Sequence, residues 1–474
     1  MRRLSLIVAA LTVLAAAPAR AADSLPPIRH VFVIVLENKD YDENFGPTSQ
    51  APYLARTLTG RGQLLRQYFG TSHVSLGNYL TMISGQAPNP DTQGDCMAGF
   101  KDVFPGVVGP DGQVMGAGCV YPAAAKTIAD QLEAKGLSWR AYMEDMGADP
   151  AREKAACAHP DIGQNDPTQS ATANDQYATR HNPFVYFHSI IDDQGRCDSH
   201  DVNLKELGPD LASASKTPAF AFITPDLCSD GHDASCANAA QKGGLAGVDD
   251  FLKTWIPRIQ GSPAYAEGSM IVITWDEGNS PRPQSSEDCC QQPSGPNTAM
   301  PGIAGPGGGR TGTVVLSQFT APGSVNDTPY NHYSLLRSVE DLFGVGHLGY
   351  AAQSGLKAFG SDVFGATETV DLSSSNASPA PCRARPLNAR NGRLSPGTLL
   401  TGLRVQRRKG RTPVLVITSS RQANLYVRQT GRKRARALKA RRCGAVRVGL
   451  ARRHGQASIT ASVRQGAERR TVIF

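Results

Sequence analysis

The chain has 474 residues, of which 40% are hydrophobic and 19% are charged. This composition excludes a disordered protein and a small disulfide-held scaffold, and the length favours two domains over one. The formal net charge of +8 hides a division, because residues 383–474 hold 24 basic side chains and one acid, whereas the rest of the chain holds 25 basic and 40 acidic ones.

The N-terminus has the pattern of a secretory signal peptide. A basic start is followed by an apolar run over residues 4–17, and Ala19 and Ala21 precede the expected cleavage point. The apolar run is too short to cross a bilayer comfortably, which disfavours a membrane anchor. We therefore predict a signal peptide over residues 1–21 and a bacterial protein that is secreted or otherwise extracytoplasmic.

Ten cysteines agree with export, because an even number of cysteines in an oxidising compartment indicates disulfide bonds. Their spacing lacks the paired C-x-x-C pattern of a zinc site. Structural disulfides are therefore predicted. Cys96 with Cys119 and Cys228 with Cys236 are expected as local pairs, while the connectivity as a whole stays open.

Four short apolar runs have the character of buried strands, and they lie at residues 30–36, 219–224, 270–274 and 313–316. They are continuous rather than alternating, as in strands that are covered on both faces. Helix-like segments lie between and after them, at residues 127–135, 247–260 and 332–343. Strands that alternate with helices predict an α/β domain whose sheet is mostly parallel.

The chain changes character towards its C-terminal part. A long surface loop is predicted at residues 284–309, where Pro, Gly and Ser are frequent. The sequence SSSNASPAP at residues 373–381 has the composition of a linker. Short strand-like runs with turn residues between them then predict a small all-β module. The predicted organisation is an α/β domain over residues 22–372, a linker over 373–398 and a basic β-rich domain over 399–474.

Acidic side chains come directly after three of the four predicted strands. Glu37 follows the first strand, Asp226 the second, and Asp276 with Glu277 the third. Because sites in open α/β sheets form beyond the carboxyl ends of strands, these acids are expected to meet. One such acid alone would more often be a turn or helix cap. A group of carboxylates repels itself unless a cation is present, so the pattern predicts a divalent metal site.

Three further side chains lie near these segments. His232 follows Asp226 in the same acidic stretch and His332 begins a predicted helix. A neutral imidazole is a common ligand of zinc, iron or manganese, although each histidine alone is more often a surface or capping residue. Ser75 begins another helical stretch, where free backbone N–H groups bind anions such as phosphate. It is either a metal-activated nucleophile or a simple N-cap, and the acidic strand ends favour the nucleophile.

Six blocks of the sequence resemble, in the same order, the bacterial and fungal phosphoesterase family, which contains secreted acid phosphatases and phospholipase C-type enzymes. The blocks are ENKDYDENFG at 37–46, SLGNY at 75–79, YATRHNPF at 177–184, PDLCSDGHD at 225–233, ITWDEG at 273–278 and HYSLLRSVEDLFG at 332–344. They fall within about residues 28–365 and do not reach the basic C-terminal region. The resemblance implies a three-layer α/β/α fold of the alkaline-phosphatase-like type.

The resemblance also implies roles for individual residues. Five of them would surround a catalytic metal: Glu37, Asn38, Ser75, Asp276 and Glu277. Three would hold a second metal, as in the members that have two: Asp226, His232 and His332. Ser75 would take the phosphoryl group, Asn78 would hold a phosphate oxygen, and Arg180 and His181 would serve the phosphate or the leaving group. The sequence departs from the family pattern at Val74 and Gly77, where proline is frequent.

We therefore predict a secreted, metal-dependent phosphoric ester hydrolase that works through a phospho-serine intermediate, with one or two divalent ions and with His181 or His232 as proton donor to the leaving oxygen. An acid phosphatase, acting on phosphomonoesters that could include phosphoinositides, is the first interpretation. A phospholipase C-type phosphodiesterase is the alternative. A different class, an envelope-binding protein with an inactive enzyme body, is disfavoured by the intact set of Glu37, Ser75, Asp276 and Glu277.

The basic C-terminal domain is expected to contact the anionic cell envelope or lipid. Its richest stretch is RKRARALKARR at residues 432–442. Specific nucleic-acid binding is not expected, because no base-reading motif is present.

Overall fold

The structure is a computed structural model that describes residues 25–365, 367–371, 400–406, 413–419, 422–429, 436–441, 445–450, 456–463 and 466–473. The predicted signal peptide and the predicted linker lie outside these residues, as do Cys382 and Cys443.

Twenty strands are present in the described part of the chain, and they fall into one large sheet and four small ones. In order they are β1 (His30–Leu36), β2 (Gln63–Leu65), β3 (Tyr68–Phe69), β4 (Phe104–Val108), β5 (Val114–Ala117), β6 (Trp139–Met143), β7 (Asp201–Asn203), β8 (Phe220–Thr224), β9 (Ser269–Trp275), β10 (Thr313–Ser317), β11 (Ser324–Asn326), β12 (Tyr330–Asn331), β13 (Thr367–Asp371), β14 (Leu400–Gln406), β15 (Val414–Ser419), β16 (Ala423–Gln429), β17 (Arg436–Ala440), β18 (Ala445–Gly449), β19 (Gln456–Val463) and β20 (Gly466–Ile473).

The α-helices of the same residues are mostly short, and the two long ones are α8 and α10. In order they are α1 (Tyr41–Phe45), α2 (Thr59–Arg61), α3 (Ser75–Ser84), α4 (Ile128–Ala134), α5 (His188–Ile191), α6 (Gln194–His200), α7 (Leu207–Asp210), α8 (Gly244–Gly261), α9 (Pro263–Gly268), α10 (His332–Phe343) and α11 (Ser361–Phe364). The predicted strands correspond to β1, β8, β9 and β10, and the predicted helices to α4, α8 and α10.

The central sheet has eight strands in the order β11-β2-β10-β9-β1-β8-β6-β7. All neighbouring pairs are parallel except those of β10, which runs antiparallel to both β9 and β2. The prediction of a mostly parallel sheet is therefore confirmed. Because β1 lies between β9 and β8, the three strands that are followed by the predicted acids are neighbours.

Both faces of this sheet are buried, and β1 shows it most clearly. Val31, Val33 and Val35 pack into the core on one face, and Phe32 and Ile34 pack into a second core on the other. A continuous apolar run satisfies both faces at once, and full burial of each such side chain contributes about 1.5–3 kcal/mol. Helices cover both cores, α3, α4 and α10 on one side and α8 on the other, so the predicted three-layer α/β/α architecture is confirmed.

The described C-terminal residues form two further sheets, with strand orders β13-β20-β19-β16-β17 and β14-β15-β18. They enclose a small core of their own, which includes Leu415, Ile417, Leu425 and Ile459. A small all-β C-terminal region is thus present as predicted. The strand β13 follows the last helix of the α/β unit, yet it pairs in parallel with β20 of the C-terminal sheets.

Four disulfide bonds join described cysteines: Cys96–Cys119, Cys157–Cys197, Cys228–Cys236 and Cys289–Cys290. The two local pairs expected from the sequence are among them. Among the helices of the described residues, none combines the length and the apolar character that a membrane span requires.

Candidate active site

The carboxyl ends of β1 and β9 bring two of the predicted acids together. Glu37 and Asp276 are both fully buried. The backbone N–H of Asn38 donates to Oδ1 of Asp276 at 2.9 Å, and Asn38 adopts a left-handed backbone with φ 54°. The Asn38 side chain donates to Oε2 of Glu37 at 2.6 Å. Asn38 therefore links the ends of the two strands and orients one carboxylate from each.

Ser75 lies at the first turn of α3 with its hydroxyl directed at the end of β1. Its Oγ donates to Oε2 of Glu37 at 2.9 Å, and the residue is 4% exposed. The side chain of the preceding residue, Val74, offers no cap, so the first turn retains backbone N–H groups and the positive end of the helix dipole. The N–H of Leu76 is bonded to the carboxylate of Asp95. The setting suits a nucleophile that must approach an anionic group.

A second group of side chains meets Glu37 from the other side. One ligand atom each of Glu37, His181 and Asp230 lies within 4.8 Å of the other two, and all three residues are buried. His181 Nε2 is 3.4 Å from Oε1 of Glu37, and His181 Nδ1 is 3.4 Å from Oδ2 of Asp230.

Several polar atoms of this group lack a hydrogen-bond partner among the described residues: both ring nitrogens of His181, Oδ2 of Asp230 and Oδ2 of Asp276. Buried polar atoms are normally satisfied, because an unsatisfied one costs about 1–3 kcal/mol. A mixed set of carboxylate oxygens and imidazole nitrogen is a donor set typical of zinc, iron or manganese. These residues therefore fit a divalent cation.

The electrostatics of the group point the same way. Burial raises the pKa of Glu37 well above its usual range, and the charges of Asp276 and Asp230 raise it further. Burial likewise raises the pKa of Asp230 and of Asp276. Burial also lowers the pKa of His181 well below its usual range, with the charge of Arg180 adding to the effect. The crowded carboxyls favour their protonated form, and the imidazole is neutral. A bound cation would favour the deprotonated carboxylates and could use them and the imidazole as ligands.

Tyr79 supports this group from one turn further along α3. Its hydroxyl donates to Oε1 of Glu37 at 2.6 Å. Its ring stacks on the imidazole of His181, with centroids 5.2 Å apart and planes 5° from parallel. Tyr79 thus orients two members of the group, and its place four residues after Ser75 on one helix face is the sequence signal for it.

Glu277 and Asn78 belong to a separate buried network beside the turn that precedes Ser75. Asn78 accepts from the backbone N–H groups of Thr71 and Ser72, and its amide donates to Oε2 of Glu277 at 3.0 Å. His73 Nδ1 lies 2.8 Å from Oε1 of Glu277. In this structure the polar atoms of Asn78 and Glu277 contact protein groups, and they hold the turn that precedes Ser75.

Asp226 and His232 flank Asp230 in the loop after β8. The carboxylate of Asp226 accepts from the N–H groups of Cys228 and Ser229, at 3.0 and 2.7 Å. The side chain of His232 is 40% exposed, and its Nδ1 is 2.8 Å from Oδ1 of Asp233. The structure therefore places Asp226 as the organiser of this loop and His232 at its solvent side.

His332, at the start of α10, is buried and has both ring nitrogens engaged. Nδ1 is 3.1 Å from the hydroxyl of Tyr68, and Nε2 is 2.5 Å from the backbone carbonyl of Asp276. Burial lowers the pKa of His332 to about 4. Its contact is with the backbone of a strand-end acid rather than with the unpartnered atoms around Glu37.

Arg180 precedes His181 and lies beside the first turn of α3. Its Nη1 donates to the carbonyl of Gln169 at 3.0 Å, and its Nε is 3.7 Å from Oδ2 of Asp95. The guanidinium is therefore held close to the N-terminus of the helix that carries Ser75, where an anionic substrate group would arrive.

The structure thus brings together five of the predicted residues around one point: Glu37, Asn38, Ser75, Asp276 and His181. Sequence reasoning missed three residues, Asp230, Tyr79 and His73. Asp230 and Tyr79 lie inside blocks that the sequence singled out and His73 lies two residues before one, but none directly follows a strand, which was the signal used.

The fold and this site define a class: an α/β protein with a buried serine, a cluster of carboxylates and a histidine at the carboxyl ends of parallel strands. The chain belongs to the phosphoesterase family, whose match covers residues 48–346.

The similar proteins include phosphatases. A phosphate-repressible acid phosphatase of Penicillium chrysogenum is 27% identical over 67% of this chain and 59% of its own length. A phosphatidylinositol-3-phosphatase of Mycobacterium tuberculosis is 22% identical over 70% of this chain and 83% of its own. A protein in the alkaline phosphatase superfamily from Vibrio parahaemolyticus, of known structure, is 11% identical over 90% of this chain and 84% of its own, with a TM-score of 0.37. The chain spans about three fifths of the length of the Penicillium relative.

Proposed function

We propose that this protein is a metal-dependent phosphatase that hydrolyses phosphoric monoesters through a phosphorylated Ser75. The observation that carries the proposal is the hydroxyl of Ser75, which lies at the N-terminus of α3 and donates to Glu37 at 2.9 Å. Glu37 in turn lies beside Asp230 and Asp276, each of which has a carboxylate oxygen without a hydrogen-bond partner among the described residues. A nucleophile, a proton acceptor and an anion-attracting helix end are the parts that phosphoryl transfer requires.

In the first step Ser75 Oγ forms a bond to phosphorus and its proton passes to the carboxylate of Glu37, while the bond from phosphorus to the leaving oxygen breaks. His232 protonates the leaving oxygen. In the second step a water oxygen bonds to phosphorus, the Oγ–phosphorus bond breaks, and Ser75 regains a proton. Arg180 and the first turn of α3 offset the charge of the equatorial oxygens in both steps.

Glu37, Asp230, Asp276 and His181 are the residues that would hold the cation. When bound, a divalent ion acts as a Lewis acid that lowers the cost of negative charge on the nucleophile and on the phosphoryl oxygens. Tyr79 and Asn38 keep Glu37 in place by hydrogen bonds of 2.6 Å each.

Two findings support an acid phosphatase that works outside the cytoplasm. The relatives named above are an acid phosphatase and a phosphatidylinositol-3-phosphatase. Four disulfides join described cysteines, which agrees with an oxidising compartment. We propose in addition that phosphoinositides are one class of substrate of this protein.

The nucleophile is tested by Ser75→Ala. We expect hydrolysis of p-nitrophenyl phosphate to fall by at least about a thousandfold with an unchanged melting temperature, because the attacking oxygen is removed from an intact fold. Ser84→Ala is the matched control, since Ser84 lies on the same helix and its hydroxyl bonds to the carbonyl of Leu80. Activity of Ser75→Ala close to that of the unchanged protein would refute the role of Ser75.

The cation is tested by metal analysis of the purified protein together with Asp230→Asn. We expect EDTA to abolish activity, a divalent ion to restore it, and Asp230→Asn to bind that ion at least about tenfold more weakly, because a ligand charge is lost. Asp250→Asn is the control, since Asp250 is half exposed and pairs with Lys242 and Lys253 on the surface of α8. Full activity in the metal-free protein would contradict the proposal.

The ester class is tested with four substrates: p-nitrophenyl phosphate, its bis-ester, a phosphoinositide and phosphatidylcholine. We expect the monoester and the phosphoinositide to be hydrolysed fastest. Preferred release from the bis-ester and phosphatidylcholine would instead identify a phospholipase C-type phosphodiesterase.

A further inference from the structure

The hairpin of β4 and β5 exposes several large apolar side chains close together in sequence, which is rare on the surface of a soluble protein. Phe104 is 83% exposed and Val107 59%, and Val108 and Met115 are exposed as well. The two strands pair with each other in a two-stranded sheet of their own. Four of the five residues of β4 are exposed, whereas Val114 of β5 is buried in the main core. Contiguous apolar exposure of this kind marks an interaction surface.

The hairpin is held firmly at its base. The disulfide Cys96–Cys119 ties the chain just after β5 to the segment that follows α3. Asn297 clamps β5 from the long loop, because it accepts from the N–H of Gly116 and donates to the carbonyl of Val114, at 2.9 and 2.7 Å. The exposed apolar side chains therefore stand on a fixed support.

Two segments tied to the base of the hairpin also expose apolar side chains. Met97 is 72% exposed next to the disulfide, and Met300 is 51% exposed three residues after Asn297. With the four hairpin residues they account for six of the ten large apolar side chains that are exposed in the described part of the chain. We call these six residues the apolar rim: Met97, Phe104, Val107, Val108, Met115 and Met300.

The apolar rim adjoins the candidate active site. Pro301, next to Met300, accepts at its carbonyl from the N–H of His73 at 3.0 Å, two residues before Ser75. Gln292 of the same loop donates to the carbonyl of Thr71 at 2.6 Å. The loop that carries Met300 thus contacts the turn that carries the nucleophile.

We propose that the apolar rim docks onto an anionic lipid surface, so that Ser75 meets phosphate esters presented at that surface. The charge of the chain argues for this occupant, because residues 383–474 hold 24 basic side chains and one acid. Stable attachment to a membrane takes two signals, and inserted apolar side chains with a polybasic segment are one such pair. The hairpin residues 104–117 carry a single charge, Asp111, so little desolvation opposes their insertion. This docking rests on the proposed function and adds that the substrates are held at a lipid surface.

The test is vesicle flotation with the double variant Phe104→Ser, Val107→Ser. We expect the unchanged protein to float with mixed vesicles of phosphatidylcholine and phosphatidylglycerol, and the double variant to partition at least about tenfold less, because the inserted apolar area is lost. Val325→Ser is the matched control, since Val325 is 51% exposed on β11 at the far edge of the central sheet. It should float like the unchanged protein.

Hydrolysis of soluble p-nitrophenyl phosphate, measured on the same samples, should be equal in all three proteins. If the unchanged protein does not float, or if the double variant floats equally well, the proposal is overturned. In the second case attachment would belong to the basic segment or to another surface. Because flotation needs no catalysis, an inactive protein that floats as expected would refute the proposed function and leave the docking surface supported.

Discussion

His181 and His232 both contact Asp230, His181 through its ring and His232 through its backbone N–H, but their side chains lie in opposite surroundings, and this separates their roles. His181 is buried against Tyr79, and burial keeps its pKa well below the usual range, so its imidazole is neutral. His232 has a side chain that is 40% exposed, and Asp233 holds its Nδ1 at 2.8 Å. A neutral buried imidazole suits a ligand, whereas an accessible imidazole beside a carboxylate suits a proton donor.

This difference predicts the behaviour of His232→Gln. We expect hydrolysis of an alkyl phosphate such as glycerol phosphate to fall by about a hundredfold, because an alkoxide is a poor leaving group without a proton. Hydrolysis of p-nitrophenyl phosphate should fall by less than about tenfold, because nitrophenolate leaves without one. The measurement is kcat/KM for both esters, with His347→Gln, which removes a similar pair with Asp341, as control. Equal losses for the two esters would assign another role to His232.

The helix α10 begins beside a strand-end acid of the site and ends against the loop that follows it. At its start Asn331 caps the N–H of Ser334, and His332 contacts the backbone of Asp276. At its end Gly344 adopts φ 66°, a left-handed conformation that favours glycine and that closes the helix. In its last turn Glu340 is buried, with Oε1 accepting from the N–H of Leu348 at 2.8 Å. The helix α10 thus contacts the backbone of Asp276 at its start and buries the carboxyl of Glu340 near its end.

Burial raises the pKa of Glu340 to about 9, so the folded protein holds a proton there that the unfolded chain releases near pH 4.5. Stability is therefore lost as the pH rises between these values. We expect Glu340→Gln to raise the melting temperature at pH 8 by a few degrees, because an amide does not titrate and its oxygen can still accept from the N–H of Leu348. At pH 4 the two proteins should melt alike. Thermal unfolding across this range is the measurement, and a lower melting temperature of the variant at pH 8 would contradict it.

Across the whole α/β unit, several buried carboxyls share this behaviour. Burial raises the pKa of Asp201 to about 7 and that of Glu153 to about 8, in addition to Glu340. Each has a folded pKa above its unfolded value, so each contributes stability that is present at acidic pH and is lost as the pH rises towards the folded pKa.

We therefore expect the protein to be more stable near pH 5 than near pH 8, with a melting temperature several degrees higher. Calorimetry in buffers of equal ionic strength measures this, in the presence and absence of EDTA, because a bound cation changes the contribution of the site carboxyls. The difference should shrink in Glu340→Gln. A melting temperature that rises from pH 5 to pH 8 in both conditions would contradict the prediction.

The sequence alone predicts those elements of the fold that a local pattern of apolar residues specifies. The continuous apolar runs identified β1, β8, β9 and β10, since strands buried on both faces need apolar side chains at every position. The strand β6 was missed, because Arg140 interrupts its apolar run. With it the acids Glu144 and Asp145 were missed, which follow β6 at the same edge of the sheet as Glu37.

Site residues that directly follow a strand could be predicted from the sequence. Site residues whose role depends on their neighbours in the fold could not. Glu37 and Asp276 were identified because they come after β1 and β9. Asp230 lies inside a loop, and its position against His181 results from the path of that loop. The sequence likewise names His332 as an imidazole but cannot show that Tyr68 and a backbone carbonyl occupy both of its nitrogens.

The pairing of β13 with β20 has a consequence for the order in which the chain can fold during synthesis. Every strand of the central sheet has been made once β11 is complete, so the α/β unit can assemble while later residues are still being added. The strand β13 emerges after β12, α10 and α11, but its partner β20 is among the last segments to appear. Until then β13 presents an open hydrogen-bonding edge to its surroundings. A ribosome that stalls in the basic region would leave a folded α/β unit whose strand β13 is unpaired. An unpaired strand edge can cause aggregation, and pairing with β20 in the completed chain removes that edge.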